Sequence, residues 1–485
     1  MSKIKKSSAY ETVIGLETHI QLGTASKAFC GDDARFGGEP NTHISTVSLG
    51  HPGTLPVLNR KQIDYALRLS VALNAEVNLT NYFDRKNYFY TDLPKGYQIT
   101  QDNCPISVGG FVPILLNDGT VKKVRLHHIH MEEDAGKSVH NVFEAHSGVD
   151  LNRAGVPLVE VVSEPDLRSA EEVDLFMNAL RRLVRWLEIS DGNMEQGSMR
   201  CDCNVSIRPQ GSEELFARCE VKNMNSMRFA RRAIEFETQR QIDIVESGGR
   251  VRQQTLQFDK NTGTTSPLRD KEDAHDYRYF PDPDLPPVVI TAEELARVKA
   301  EMPALPWELY ARFTTEFNLS GYDATILTEE KNIAFLFMDL TKKHSDYKAC
   351  ANLIINQVRP HLAENDANAA VDFPVQRWAE LLDLVKENKV SNSVAKQKLF
   401  PAIWENTDLP IAKLAEKMNL LQDSDADFLS DLAEEILAKY PDKVAAYRKG
   451  KKGLLGFFMG ELMKASKGKA NPKEGNAVLR AKLEG

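Results

Sequence analysis

At 485 residues, with 42% hydrophobic and 27% charged side chains, the chain is too long for one core and has the composition of a folded globular protein. No run approaches the roughly 18 apolar residues of a membrane span, so a membrane partner is not expected. A net charge of −8 argues against whole-surface attraction to nucleic acid but leaves room for a local basic patch.

The opening MSKIKKSSAY is basic but has no apolar h-region after it, which makes the cytoplasm the expected location. Six scattered cysteines (Cys30, Cys104, Cys201, Cys203, Cys219, Cys350) are too few for a disulfide framework, and reduced thiols are expected. From Tyr10 to about Val289 the text reads as short strands broken by turn residues, with one helical interruption, AEEVDLFMNALRRLVRWLEI. This predicts an α+β domain on a mixed sheet. In IGLETHIQL the strand period places Glu17, His19 and Gln21 on one face and Leu16, Thr18 and Ile20 on the other. Next, DRKNYFYTDLPKGYQITQ concentrates Arg85, Lys86, Tyr88, Tyr90, Lys95 and Tyr97. It reads equally as a hairpin turning at DLPKG with tyrosines at its edges, or as a cationic, aromatic wall for a nucleotide or an RNA end.

HHIHMEEDAGKSVH, His127 to His140, ends in Gly136, Lys137 and Ser138 as a phosphate loop does. The glycine that such a loop needs earlier is Met131, and Glu132, Glu133 and Asp134 stand where bare N–H groups should be, which excludes a phosphate loop. If the stretch is extended, His128, His130, Glu132 and Asp134 share a face, a like-charge cluster that needs a cation or solvent. Further strands repeat the device. Glu160 lies inside the apolar run VPLVEVV and needs a partner; Asp202, Asn204 and Ser206 share a face of RCDCNVSIR, opposite Cys201 and Cys203; Glu220 stands beside Lys222. Several strands each turning one carboxylate inward suit Mg²⁺, an oxygen-seeking ion that bridges phosphates. Zinc is the rival, but CxC without a second pair is a weak signal for it, so Mg²⁺ is favoured.

FPDPDLPPVVI packs Pro281, Pro283, Pro286 and Pro287 into a boundary strand that closes the first domain. Thr291 and Glu294 then form a capping box, and helical patterns run to about Asn406. After ENTDLP come more helices and a basic end. The expected organisation is a mixed-sheet domain over 1–290, an all-α domain over 291–407 and a small helical tail domain over 408–485. From Arg448 to Gly485 ten Lys/Arg stand against three Glu, so that end carries +7 and the rest −15.

IGLETHIQL, HPGTLPVLN, FDRKNYFYTDLPKGYQITQ, HMEEDAGK, PLVEVVSEPD, GNMEQGSMRCDCNVSIR, EVKNMNSMRF and HDYRYFPDPDLPP together resemble, in order, the signature blocks of the B subunits of aspartyl/glutamyl-tRNA amidotransferases. The end GKKGLLGFFMGELMKASKGKANP resembles that family's tail, so the resemblance spans nearly the whole chain. It implies a ligase that uses ATP and Mg²⁺ to convert misacylated Glu-tRNA(Gln) and Asp-tRNA(Asn) to the amidated forms. Its implied partners are an amidase, the A subunit, which releases ammonia from glutamine; a small C subunit; the misacylated tRNA; and a non-discriminating synthetase. The first domain, called the cradle, would hold ATP and Mg²⁺. By position, Glu17, His19 and Glu132 match the family's metal ligands. Glu160, Asp202 and Glu220 match acidic positions for a second ion or the reacting groups, and are the catalytic candidates. Arg85, Lys86, Tyr88, Tyr90, Lys95 and Lys137 are the candidates for binding ATP or the aminoacyl end. Some members bind zinc through paired cysteines near FCGDDARFGGEPN, where this chain has only Cys30, so no structural zinc is expected.

In the tail, Lys451, Lys452, Lys464, Lys467 and Lys469 flank the apolar GLLGFFMGELM, which would fix cations on a folded surface for the tRNA backbone. Deleting residues 410–485 is expected to weaken tRNA affinity and to flatten its salt dependence by roughly one unit of log–log slope for each phosphate no longer neutralised. Unchanged affinity in a filter-binding titration would make the tail an assembly element instead.

Overall fold

The alternation in YETVIGLETHIQ builds the central strand β1 (Tyr10–Gln21), with Leu16, Thr18 and Ile20 buried on one face and Glu17, His19 and Gln21 on the other. The computed structural model describes residues 9–139, 146–224, 226–270, 276–364, 373–405, 409–422, 426–466 and 470–485. They form two units, Met1–Glu308 and Leu309–Gly485.

The first unit is organised by a ten-stranded sheet. After β1 its main strands are β2 (Val121–Glu133), β3 (Pro157–Ser163), β4 (Met199–Pro209), β5 (Cys219–Met224), β6 (Gln254–Asp259) and β7 (Thr264–Asp270). They lie in the order β7, β6, β5, β4, β1, β3, β2, and short strands continue the sheet past β2. Every pairing among these seven is antiparallel except β5 with β6, so the sheet is mixed. A parallel pair needs a crossover, supplied by the helix Met227–Glu246.

Three helices complete the core: α1 (Arg60–Ala72), α2 (Ala170–Trp186) and α3 (Met227–Glu246). Ser169 caps α2 by accepting from the Glu172 N–H, and Glu171 and Glu172 in its first turn complement the helix dipole. The apolar stripe of α2, Val173, Phe176, Met177, Leu180, Leu183 and Val184, joins Leu16, Ile20, Val159, Val161, Cys201 and Cys203 in one core. Burying each large side chain contributes about 1.5–3 kcal/mol. With one sheet face committed to this core, the other is free to carry charge.

β2 changes phase along its length. Leu126 pairs with Ser163 but His128 pairs with Val162, so two residues of β2 oppose one step of β3. Before this bulge Val124 and Leu126 are buried; after it Ile129 and Met131 are. The bulge puts His128, His130 and Glu132 on the charged face. The prolines at 281 to 287 keep the chain extended: Phe280–Pro281 pairs with the strand Asp84–Asn87, and Val288–Val289 with Thr80–Asn81. The capping box at Thr291 forms as expected and starts the helix Ala292–Glu301.

The second unit is helical among its described residues. Trp378 is fully buried, with Phe373 and Trp404 against it. Toward the end, Ala426–Lys439, Pro441–Arg448, Leu454–Ala465 and Pro472–Glu484 close on a core of Leu429, Ala433, Phe458, Leu462, Leu479 and Leu483. Asn471 caps the last helix by accepting from the N–H groups of Lys473 and Glu474.

Gly110, between the short strands Ser107–Val108 and Phe111–Leu115, packs against the end of α1 with φ +85, and a Cβ there would lie 2.6 Å from the Leu73 carbonyl oxygen and 3.0 Å from the Ala75 Cα. Gly110→Ala is expected to cost at least about 1–3 kcal/mol, because backbone is what the methyl meets. Gly119→Ala, at the same φ of +85 but with nothing within 4 Å, should cost less. Urea unfolding midpoints of the two variants check the order.

Candidate active site

Strand register gathers the charged residues. His19 pairs with Glu160 on β3 and with Arg200 on β4, and Glu160 pairs in turn with His130 on β2. Side chains at paired positions share a face, so Arg200, His19, Glu160 and His130 form a row across four strands. Glu160 sits between two imidazoles: its Oε2 is 3.2 Å from His19 Nε2 and 3.3 Å from His130 Nε2. Glu132, two residues beyond His130, brings Oε1 to 3.7 Å from His19 Nε2 and Oε2 to 3.6 Å from His130 Nε2. Burial pushes the Glu160 carboxyl up, but the two histidines outweigh it and hold it well below its ordinary value. Burial likewise pulls His130 down, while Glu160 and Glu132 lift it to about 10. His128 is lowered to about 4 by burial and by the neighbouring histidines, although its Nε2 lies 3.0 Å from His130 Nδ1.

One ligand atom each from His19, Glu132 and Glu160 lie within 4.8 Å of one another. Ligands about 2.1 Å from a single Mg²⁺ stand at most roughly 4 Å apart, so a small inward movement closes this group on one ion. Two carboxylates and one imidazole suit Mg²⁺, and His19 Nδ1 is buried without a hydrogen-bond partner among the described residues. Glu17, joined to His19 and Glu132 by the resemblance, points along β1 toward a second group. Its Oε1 accepts from Asn204 Nδ2 at 2.9 Å, and burial followed by the charge of Glu160 raises its pKa. Cys201 and Cys203 face the opposite, apolar side with their sulfurs 3.8 Å apart.

The second group centres on Lys222. Its Nζ lies 2.8 Å from Glu220 Oε1 and 3.4 Å from Asp202 Oδ2. Thr255 on β6 donates to Glu220 Oε2 at 2.9 Å. Glu160, Asp202 and Glu220 therefore lie on one face but in two groups, the first with the histidines and the other two with the lysine. Lys222 and Thr255 also line a cavity of about 810 Å³ whose walls include Lys86, Asn87, Tyr88, Tyr90, Tyr277 and Arg278, with Asp276 as their one carboxylate among the described residues.

The basic and aromatic candidates have separate placements. Lys86, Tyr88 and Tyr90 line the cavity, with the Lys86 ammonium 4.8 Å from the Tyr277 ring. Arg85 instead bonds Asp282 Oδ2 at 2.8 Å and Asp284 Oδ2 at 2.7 Å, and stacks over Tyr97. Lys95 is tied to the buried Glu133. Lys137 is exposed on a short strand paired with Gly148–Asp150. In the tail, Lys451, Lys452 and Lys464 are exposed, Lys452 beside Glu484 at 3.1 Å; Lys467 and Lys469 lie outside the described residues.

Sequence reasoning did not single out Arg200, Arg153, Tyr277 or Arg278. Arg200 stands in the quoted GSMRCDCN, and a basic residue beside the acidic strand face was the available signal. Its Nη2 donates to Asp134 Oδ1 at 2.6 Å; Gln21 Nε2 donates to Oδ2 at 2.7 Å, and Arg153 lies 3.7 Å away. Burial raises the Asp134 carboxyl, but the two arginines and Gln21 bring it below its usual value.

A mixed sheet with carboxylates and histidines on one face, beside a cavity lined by cations and aromatic rings, offers ligands for a cation and a surface suited to an anionic, planar group. Residues 12–296 match the family described as GatB/GatE catalytic domain, and residues 336–483 the one described as GatB domain. The B subunit of aspartyl/glutamyl-tRNA(Asn/Gln) amidotransferase from Chromobacterium violaceum is 48% identical, over 98% of this chain and 99% of that protein. Its namesakes in Pseudomonas fluorescens and Neisseria meningitidis are 48% and 46% identical, each over 98% of this chain and over 100% and 99% of their own lengths. The chain belongs to this family of amidotransferase B subunits.

Asp134 supplies a pH test. A carboxylate with a depressed folded pKa adds stability above its unfolded pKa of about 3.9 and loses it as pH falls through the folded value. Asp134→Asn is expected to cost about 1–3 kcal/mol at pH 7, reduced from the value for a fully buried pair because both arginines are partly exposed. The gap to wild type should shrink as pH falls below about 4, read from denaturant midpoints at each pH.

Proposed function

We propose that the chain is the carboxylate-activating subunit of an ATP-dependent tRNA amidotransferase, acting on Glu-tRNA(Gln), Asp-tRNA(Asn) or both. The observation that carries this reading is the pair of charged groups on one sheet face, one around His19, Glu132 and Glu160 and one around Lys222, with Lys222 itself on the wall of a cavity lined by tyrosines and cations. The family to which the chain belongs supports the same reading. The amidase, or A subunit, delivers ammonia, the small C subunit completes the assembly, a non-discriminating synthetase is a further partner, and the enzyme works in the cytoplasm.

His19, Glu132 and Glu160 would hold Mg²⁺, with Glu17 extending the array along β1. Bound there, the ion would offset phosphate charge and polarise the phosphoryl oxygens. The γ-phosphoryl of ATP passes to the side-chain carboxylate of the misacylated amino acid, giving an acyl phosphate and ADP. Ammonia attacks that carbonyl, phosphate leaves, and the surplus proton goes to Asp202 or Glu220, because Glu160, the third acidic candidate, is held ionised by His19 and His130. Lys222 offsets the charge of Asp202 and Glu220 where the anionic substrate must approach. Lys86, Tyr88 and Tyr90 pack against the planar and anionic parts of the ligands, and the aromatic walls keep water from the acyl phosphate. Arg85 holds the strand that carries Lys86, Lys95 holds Glu133 beside Glu132, and Lys137, exposed on its own short strand, meets phosphate. Residues 1–290 carry this chemistry, 291–407 form a helical domain, and 408–485 bind tRNA through Lys451, Lys452, Lys464, Lys467 and Lys469.

Glu132→Gln keeps the side chain's shape and removes its charge. In the assembled enzyme supplied with free ammonia it is expected to lower ATP-dependent amide formation by at least roughly 100-fold, with tRNA affinity nearly unchanged. Normal turnover in that variant, or amide formation by the wild type without ATP, sinks the proposal. A chain that binds tRNA and never consumes ATP would be an adaptor instead.

A further inference from the structure

Arg278 is a backbone outlier. Its φ is +46, in the left-handed region that a residue of its bulk rarely adopts. The other non-glycine residues found there among the described ones are five asparagines, which tolerate it, and Glu188 just past the end of α2. Arg278 ends no helix and lies in the extended stretch before Phe280–Pro281.

The surroundings over-determine this conformation. The Asn87 backbone N–H donates to the Tyr277 carbonyl at 2.9 Å, and Asn87 Nδ2 donates to the carbonyls of Tyr277 at 3.2 Å and Arg278 at 2.9 Å. Just downstream, Arg85 clamps Asp282 and Asp284. Strain that persists because neighbours enforce it clusters at ligand-binding positions. Here it turns Arg278 onto the wall of the 810 Å³ cavity, with Tyr88, Tyr277, Lys86 and Lys222. Asp276, on the same cavity, accepts from the Arg278 backbone N–H at 3.1 Å and so helps hold this conformation, while its ion pair with the guanidinium at 3.7 Å, with both side chains about four-fifths exposed, is too weak to occupy the guanidinium.

We propose that Arg278 is a substrate-binding residue that grips a phosphate group in this cavity, and that Asn87 is the positioning residue that holds it there. A guanidinium fork matches two phosphate oxygens, and Lys86 and Lys222 on the same cavity make it a place for an anion. The phosphate comes either from the triphosphate of ATP or from the terminal phosphodiester of the tRNA. The inference rests on the proposed function, since it needs both substrates to enter this cavity.

The test uses the complete enzyme with ammonium as amide donor, and measures KM for ATP and for misacylated tRNA separately. Arg278→Gly fits the backbone without strain, so folding is preserved and the thermal midpoint should not fall. It is expected to raise one of the two KM values about ten-fold, the size of one charge-assisted contact, with kcat changed less. A rise for ATP identifies the triphosphate, and a rise for tRNA the RNA phosphodiester. Asn87→Ala should raise the same KM, and the double variant should be no worse than Arg278→Gly alone. Both KM values within about two-fold of wild type in Arg278→Gly overturn the binding role, and additive effects in the double variant overturn the positioning role. If the wild-type enzyme makes amide while Arg278→Gly matches it, this inference alone fails; if the wild type makes none, the proposed function fails.

Discussion

The charged face depends on one compensation: Glu160, on a strand that is otherwise apolar, stands between His19 and His130 from the strands on either side. A buried carboxylate without partners costs several kcal/mol. Here the partners are supplied by pairing register, not by side chains reaching from loops, and a one-residue slip of β3 against β1 would send Glu160 into the core. Register and charge therefore enforce each other. The sheet aligns the row, and the row penalises every other alignment of the sheet.

The apolar face makes this arrangement possible. Thr18, Cys201, Cys203, Val159 and Val161 on that side pack with α2 and leave the opposite side without a hydrophobic obligation. The bulge at His127 is part of the same arrangement, because without it β2 would present Ile129 and Met131 to the charged face. Asp134 extends the logic one step past the end of β2, where two arginines and Gln21 replace the histidines.

Period-2 reading made the central part of this legible. Glu17 with His19, Asp202 with Asn204, and the opposed Cys201 and Cys203 follow from strand geometry alone, as does the capping box at Thr291. What was hidden lies at long sequence range. Arg85 and Lys95 read from the sequence as ligand cations, since their counterions, Asp282, Asp284 and Glu133, are 38 or more residues away. The grouping of Glu160 with His19 and Glu132, and of Glu17 with Asn204, depends on which strands are neighbours. Composition carries no such information. Tyr277 and Arg278 were invisible for a related reason, because their value lies in a backbone conformation set by Asn87, 190 and 191 residues earlier.

Two kinds of cation follow from these placements, and they suit different tasks. Arg85, Arg153 and Arg200 are fixed by carboxylates or carbonyls, so their charge shapes the walls and neutralises what is already there. Lys86 and Arg278 keep their charge on the cavity, and Lys222 spans both conditions by touching Asp202 and Glu220 while lining the same space. An anionic substrate entering this cavity exchanges water for cations that are already positioned, and meets Lys222 before it meets the carboxylates behind it. That order matters physically. The same carboxylates that could take a proton from ammonium would repel an approaching phosphate or carboxylate unless a cation stood in front of them. In the proposed mechanism, the lysine between cavity and acids reconciles substrate binding with proton acceptance on a single sheet face.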